Sequence, residues 1–122
     1  MNVALGVKLL LCLASAAIGF RLPDIDLAPV LLIRHRSVWT HGPLLPFLAA
    51  WLAPRYPEYR YAFVALLIGI AIHLLEDASP KKWRGGALIN LAPIPVSLPL
   101  VLSQSYIVLG ALYAAFVMIS LI

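Results

Sequence analysis

Long apolar stretches separated by short polar segments restrict what this chain can fold into. The stretch from Val3 to Phe20 contains one charged residue, Lys8, and the stretch from Ser105 to Ile122 contains none. A helix needs roughly 20 predominantly apolar residues to cross the hydrocarbon core of a bilayer. Both stretches approach that length, so they predict membrane-spanning helices.

The composition also indicates that lipid, rather than water, surrounds most of the chain. Of the 122 residues, 63% are hydrophobic and 11% are charged, whereas roughly 25% of the residues of a soluble domain are charged. Fourteen charged side chains cannot cover the surface of a soluble protein of this size. These values exclude a disordered chain, and nucleic acid is not an expected partner.

We predict an all-α polytopic membrane protein with about four transmembrane helices, in which residues 1–122 form a single integral membrane domain. The two central spans are expected at about Val38 to Leu52 and at about Ala62 to Leu75. Prolines 43 and 46 favour a late or kinked start of the second span, because proline lacks the backbone donor of a regular helix.

A proline-rich connection precedes the last span. Residues 78–104 include Pro93, Pro95 and Pro99, which disfavour a regular helix. Non-helical backbone is tolerated at membrane depth only where protein contacts satisfy its polar groups. We therefore expect this segment to lie at the membrane interface and to pack against the rest of the protein.

Two long polar connections, residues 21–37 and 78–104, join the spans. The order of the spans places both of them on the same side of the membrane. Cytoplasmic segments carry an excess of lysine and arginine, and six such residues belong to this side against three on the other. We therefore expect the long connections in the cytoplasm, in a bacterial inner membrane or an equivalent membrane, with membrane lipids as partners. The six residues are Arg21, Arg34, Arg36, Lys81, Lys82 and Arg84.

Three polar motifs meet on that same side, at helix ends that the topology brings together. In chain order they are residues 24–26, 35–41 and 73–77. Ionisable groups at a membrane are costly and mark functional sites by default. Imidazole and carboxylate groups together form a ligand set that suits zinc, manganese or iron, so we predict a divalent metal cofactor, zinc or manganese. The predicted metal ligands are Asp24, Asp26, His35, His41, His73 and Asp77.

The spacing within the third motif supports this interpretation. His73 and Asp77 are four residues apart, so they lie on one face of a helix and can point at one ion. Glu76 lies about 100° away from that face and is expected to be a solvated or supporting residue. A bound ion would acidify water and stabilise charge during phosphoryl transfer.

Each motif has a simpler interpretation when it is taken alone. Asp24 and Asp26 are typical of a helix cap or a solvated loop, and His35 lies between two arginines in an interfacial cationic segment. His73 and Asp77 can form a structural ion pair. Without a metal site, all of these simpler interpretations would have to be true at once on one side of the membrane. The metal site is therefore the favoured interpretation.

Two residues of this constellation are predicted to be catalytic. Arg36 is expected to hold a substrate phosphate, because its planar guanidinium can make two hydrogen bonds to one phosphate. The general base is expected to be either a metal-bound hydroxide or one of the carboxylates, among which Asp26 is the predicted one. Thr40 is expected to support the neighbouring His41 through its hydroxyl group.

The order of the motifs resembles that of the YdjM-like membrane-bound metal-dependent hydrolases. That family carries Pro-Asp-x-Asp, His-Arg-x-x-Thr-His and His-x-x-x-Asp, and the corresponding segments here are residues 23–26, 35–41 and 73–77. The resemblance covers roughly residues 19–86. Since the family is distantly similar to zinc-dependent phospholipase C-like enzymes, it implies metal-dependent hydrolysis of a phosphoester or lipid headgroup at the cytoplasmic face, with a phospholipid as one substrate class.

The sequence departs from the family pattern in ways that leave a second function open. Residues 1–20 contain no histidine, although members of the family usually carry a further ligand there. Leu27 stands where histidine is frequent, Gly42 replaces the usual serine, and the His-Arg element has one extra residue. The alternative function is a non-catalytic accessory or structural subunit, in a homo-oligomer or a larger membrane protein complex.

Overall fold

The computed structural model of the protein describes residues 3–27, 36–79 and 88–122. These residues form helices and turns, together with two isolated β-bridges. The α-helices are α1 (Val3–Arg21), α2 (Leu44–Leu52), α3 (Arg60–Asp77) and α4 (Leu100–Leu121). Short 3-10 helices cover Leu22–Leu27, Ala53–Arg55 and Pro57–Tyr59.

Within the described residues, three helical segments are long and apolar enough to cross a membrane, which confirms the all-α class and the membrane character. They are Ala4–Leu27, Pro57–Asp77 and Leu100–Leu121. The fourth apolar helix, together with the turn that follows it, covers only Leu44–Arg55. It is shorter than the roughly 20 residues of a regular crossing, so the helices alone do not establish four spans.

α2 begins at Leu44 rather than at Val38, which is the late start that Pro43 and Pro46 favour. Pro43 immediately precedes the helix, and the residues before it form hydrogen-bonded turns. In one of these turns the backbone N–H of His41 donates to the carbonyl oxygen of Ser37 at 3.0 Å. Such turns satisfy backbone groups that a longer helix would otherwise have used.

α3 packs against each of the other three α-helices. It runs antiparallel to α4, because one buried cluster joins Leu74 and Ile70 to Ile107 and the next joins Leu67 to Val117. Close packing of this kind holds helices together in lipid, where the hydrophobic effect between them is weak. We call the end of the molecule at which α1 and α3 end, and α4 begins, the site end.

α1 crosses α3 at two glycines that allow the backbones to approach closely. A side chain at Gly19 would collide with the backbone of Leu66, and one at Gly69 would collide with the backbone of α1. Small residues at such crossings are typical of membrane proteins. The crossing brings the end of α1 to the end of α3, where the rings of Phe20 and His73 meet edge to face.

Residues 88–99 contain no helix, which agrees with the expectation from their prolines. The N–H of Asn90 donates to the carbonyl oxygen of Arg36 at 3.0 Å, and the N–H of Val38 donates to the carbonyl oxygen of Asn90 at 2.9 Å. The indole N–H of Trp39 donates to the carbonyl oxygen of Ala92 at 2.7 Å. Protein contacts therefore satisfy this backbone and hold the turn at residues 36–41.

The start of α4 differs from its expected position. The helix begins at Leu100, five residues before Ser105, because Pro99 provides the helix boundary. Proline is tolerated at the start of a helix, where its missing N–H has no intrahelical partner to lose.

Candidate metal centre

Four polar side chains from three parts of the fold converge at the site end. Asp24 follows α1, His41 precedes α2, and His73 and Asp77 lie in the last turns of α3. The Nε2 atom of His41 lies 3.8 Å from Asp24 Oδ1 and 3.3 Å from Asp77 Oδ2. The Nε2 atom of His73 lies 3.5 Å and 3.4 Å from the same two oxygens.

Asp24, His41 and His73 form a group that could hold a metal ion, and Asp77 contacts both histidines. Bonds of about 2.0–2.1 Å from zinc to nitrogen or oxygen place two neighbouring ligand atoms roughly 3.3 Å apart. The four measured distances run from 3.3 to 3.8 Å. In addition, ligand atoms of Asp24, His41 and His73 all lie within 4.8 Å of one another. The prediction that histidine and aspartate come together at metal-binding distance is therefore confirmed.

His73 gives a second indication that the cluster is built for a cation. Its side chain is buried, and neither of its ring nitrogens makes a hydrogen bond to the part of the chain that the structure describes. A buried polar nitrogen without a hydrogen bond is costly. An ion bound between the carboxylates would give His73 Nε2 a ligand bond in its place.

The two carboxylates of the first motif serve different sides of His41. They lie on the 3-10 helix Leu22–Leu27, which has about three residues per turn, so side chains two residues apart point in different directions. Asp24, whose side chain is 32% exposed, faces the Nε2 side of His41. Asp26 is fully buried on the Nδ1 side, with Oδ2 at 3.2 Å from Nδ1.

Asp26 belongs to a hydrogen-bond network that orients His41. Its Oδ2 accepts the backbone N–H of Ser37 at 3.0 Å and the hydroxyl of Thr40 at 2.7 Å. Since the Thr40 hydroxyl donates its hydrogen to Asp26, the contact of 2.9 Å between Thr40 Oγ1 and His41 Nδ1 requires Nδ1 to donate. The expected support from Thr40 is therefore present, and Nε2 is left to face the cluster.

The same network affects the protonation of His41. Burial disfavours the charged imidazolium, but the hydrogen bonds to Asp26 and Asp77 outweigh burial and raise the pKa of His41 above its ordinary value of 6.5. The metal-free site therefore attracts a cation, and a proton on His41 competes with a metal ion for this position.

Arg36 is buried beside the cluster rather than exposed to solvent. It is 4% exposed, and its Nη2 atom donates to Asp77 Oδ1 at 3.4 Å. Its backbone φ of 58° lies in the left-handed region, which is uncommon for residues other than glycine and often occurs at functional sites. Arg36 thus holds one oxygen of Asp77 while the other oxygen faces the two histidines.

A cleft of about 350 Å³ opens on the cluster from the α1 and α3 side. Glu76 lines this cleft and is exposed, in agreement with the solvated position that its spacing predicts. Most of the lining is ionisable, which suits a charged ligand. The lining residues are Phe20, Arg21, Asp24, Leu27, His73, Glu76 and Asp77.

Some predicted residues lie outside the described part of the chain. Among the predicted metal ligands this applies to His35, and among the basic residues of the long connections it applies to Arg34, Lys81, Lys82 and Arg84. The metal-ligand role of Asp26 and the substrate-binding role of Arg36 stay predictions. In this geometry Asp26 orients His41, and Arg36 fixes Asp77.

The sequence motifs missed residues that position the site from a distance. Asn90 anchors the turn that precedes His41, and the hydroxyl of Tyr106 donates to the carbonyl oxygen of Val38 at 2.7 Å. Asn90 is a single polar residue in an apolar stretch, and that pattern is a signal which could have identified it, although its contacts with the turn are made by its backbone. Tyr106 follows three polar residues, at positions 103–105, and carries no such signal. The resemblance to YdjM-like hydrolases stays a prediction based on the motifs. The chain matches no protein-family model, no curated protein and no solved structure.

Proposed function

We propose that the protein is a membrane-bound metal-dependent hydrolase that acts on a phosphoester or a lipid headgroup. The observation that carries the proposal is the convergence of Asp24, His41 and His73 within metal-binding distance. Asp77 contacts both histidines, and the group lies at the end of helices long and apolar enough to cross a membrane. Two imidazoles and two carboxylates suit zinc or manganese. A bound ion of this kind would polarise a phosphoryl oxygen and acidify a water molecule.

The chain supplies positioning and charge around this centre. Asp26 keeps the Nδ1 proton of His41 in place, so that Nε2 is available as a ligand. Arg36 fixes Asp77, and its buried positive charge offsets the carboxylates of the cluster. In the proposal Arg36 also stabilises negative charge on a phosphoryl group in the cleft.

The proposal includes four membrane crossings, with the site at the cytoplasmic face. In support, Leu44–Arg55 connects the site end to the opposite end, where Tyr56 and Tyr59 lie beside Phe63 near the start of α3. The excess of lysine and arginine in the two long connections favours the cytoplasm for the site end.

Metal analysis of the purified protein tests the proposal, together with hydrolysis of bis(p-nitrophenyl) phosphate. We expect one zinc or manganese ion per chain and a turnover that a chelator abolishes and added metal restores. Asp77→Ala should lose both. Glu58→Ala is the matched control, because Glu58 is an exposed carboxylate in the 3-10 helix Pro57–Tyr59, away from the site end.

The alternative function, a non-catalytic accessory subunit, predicts neither bound metal nor turnover. A protein that contains no metal, shows no turnover and copurifies with other membrane subunits would contradict the hydrolase proposal. The same metal content in wild type and Asp77→Ala would contradict the assignment of the site.

A further inference from the structure

An apolar groove on the surface of α1 and of the 3-10 helix Leu22–Leu27, called here the α1 groove, adjoins the polar cleft of the candidate metal centre. The groove has a volume of about 480 Å³, and the cleft has a volume of about 350 Å³. Both values lie within the range of about 300–1,000 Å³ that is common for small-molecule sites. The groove is lined by Ala17, Ile18, Arg21, Leu22 and Ile25.

Arg21 belongs to both the groove and the cleft. On this helical segment, Ile18, Leu22 and Ile25 line the groove. Asp24, on another face of the same segment, lines the cleft. Arg21 lies between these two faces in the last turn of α1, where the cation also suits the helix C-terminus. One end of the groove therefore opens beside the charged cleft.

The groove faces the bilayer. It lies on Ala4–Leu27, which is long and apolar enough to cross a membrane, and Ile18 and Ile25 are 57% and 46% exposed. The molecules that cover such a surface within a membrane are the acyl chains of lipids. The natural occupant of this groove is therefore an acyl chain rather than a soluble molecule.

The charges of the cleft determine which lipid headgroup it can bind. The described residues that line it include three carboxylates, on Asp24, Glu76 and Asp77, and one guanidinium, on Arg21. With the buried Arg36, which pairs with Asp77, the formal sum is −1, and a divalent ion would bring it to +1. An anionic headgroup is therefore repelled without the ion and accepted with it, while Arg21 offers a bidentate contact to a phosphate.

A second apolar groove, between α2 and α4, is less suited to this role. It is lined by residues such as Trp39, Phe47 and Tyr113 and shares no residue with the cleft. The turn that carries the fully buried His41 separates it from the metal centre.

We propose that the α1 groove and the cleft form one binding site for an anionic acyl-chain amphiphile of the membrane. The acyl chain lies along Ile18, Leu22 and Ile25, Arg21 contacts the phosphate, and the headgroup reaches the metal centre. The proposal rests on the proposed function for the headgroup, and it names the substrate class as a lipid that moves in sideways from the bilayer.

Lipid retention by the full-length protein, measured by native mass spectrometry from detergent, tests this site. The probes are phosphatidylglycerol, which has chains and charge, diacylglycerol, which has chains only, and glycerol phosphate, which has charge only. We expect phosphatidylglycerol to be retained best. Ile18→Trp, which fills the groove, and Arg21→Gln should each weaken its retention by about tenfold or more.

Leu13→Trp is the matched control. It adds the same side chain to an exposed position of α1 that does not line the groove, so retention should stay at the wild-type level. Equal retention by Ile18→Trp and Leu13→Trp, or equal retention of glycerol phosphate and phosphatidylglycerol, would overturn the proposal.

Metal content, measured on the same samples, separates this proposal from the proposed function. Removal of the ion with a chelator should weaken retention of phosphatidylglycerol and leave that of diacylglycerol unchanged. Bound metal with no effect of Ile18→Trp contradicts the amphiphile site alone. A wild-type protein that cannot bind metal contradicts the proposed function, and the headgroup part of the amphiphile site with it.

Discussion

At the scale of single residues, the roles of Asp24 and Asp26 separate although they are only two positions apart. Asp24 faces the cluster, whereas Asp26 accepts hydrogen bonds from Ser37 and Thr40 behind His41. The motif alone made both of them equivalent candidate ligands. The difference arises because both residues lie on the 3-10 helix Leu22–Leu27, where side chains two residues apart point in different directions.

Substitution of Asp26 tests this separation. In Asp26→Asn, we expect the metal stoichiometry to stay at one per chain while the affinity falls by about 10–100-fold, as is usual when a partner of a ligand histidine is removed. Asp24→Asn should lose more affinity, because it removes a ligand oxygen. Isothermal titration with zinc measures both variants, and equal losses would contradict the assigned roles.

Protonation of His41 predicts how metal binding depends on pH. The raised pKa of His41 means that protons begin to compete with the metal above the ordinary pKa of histidine. Metal binding must displace that proton, so the apparent affinity should fall by up to about tenfold per pH unit below the pKa. Zinc titrations between about pH 8 and about pH 5.5 measure this slope. An affinity that is constant over this range would contradict His41 as a ligand.

At the scale of elements, the crossing of α1 and α3 controls whether the site can form. Gly19→Leu places a side chain against the backbone of Leu66, so we expect α1 to move away from α3 and to carry Asp24 out of the cluster. The variant should have a lower melting temperature in detergent and should lose stoichiometric metal. Ala14→Leu is the matched control, because Ala14 is an exposed position on the same helix. An unchanged melting temperature and metal content in Gly19→Leu would contradict this account of the crossing.

The helices could be predicted from the sequence better than the segments that connect them. Hydropathy and length identified α1, α3 and α4, because a membrane demands continuous apolar helices. The spacing of His73 and Asp77 also predicted their contact, since it depends on helix geometry alone.

The prolines indicated a late start of α2 and a non-helical segment at residues 88–99, but the contacts that hold these two segments could not be predicted in the same way. They depend on hydrogen bonds between distant parts of the chain, such as those of Asn90 with Arg36 and Val38. No periodicity in the sequence encodes such pairings. The orientation of His41 depends on the same contacts, so the detailed geometry of the site could be found only in three dimensions.

At the scale of the whole molecule, the end of α3, the segment before α2 and the segment after α1 all meet at the site end. We expect this end to face the cytoplasm. In a Cys12→Ala background, a single cysteine at the exposed position Ser97 should resist a membrane-impermeant maleimide applied to intact cells, and one at Glu58 should react. Permeabilised cells, in which both should react, are the control. The reverse pattern would contradict the orientation.

The arrangement of the molecule implies that a single divalent ion joins the ends of α1 and α3 to His41. X-ray absorption of the zinc-loaded protein tests it most directly. We expect two imidazole nitrogens at about 2.0–2.1 Å and carboxylate oxygens at about 2.0–2.2 Å from one zinc ion per chain. A first shell without imidazole, or a spectrum that Asp24→Asn and His73→Ala leave unchanged, would contradict it.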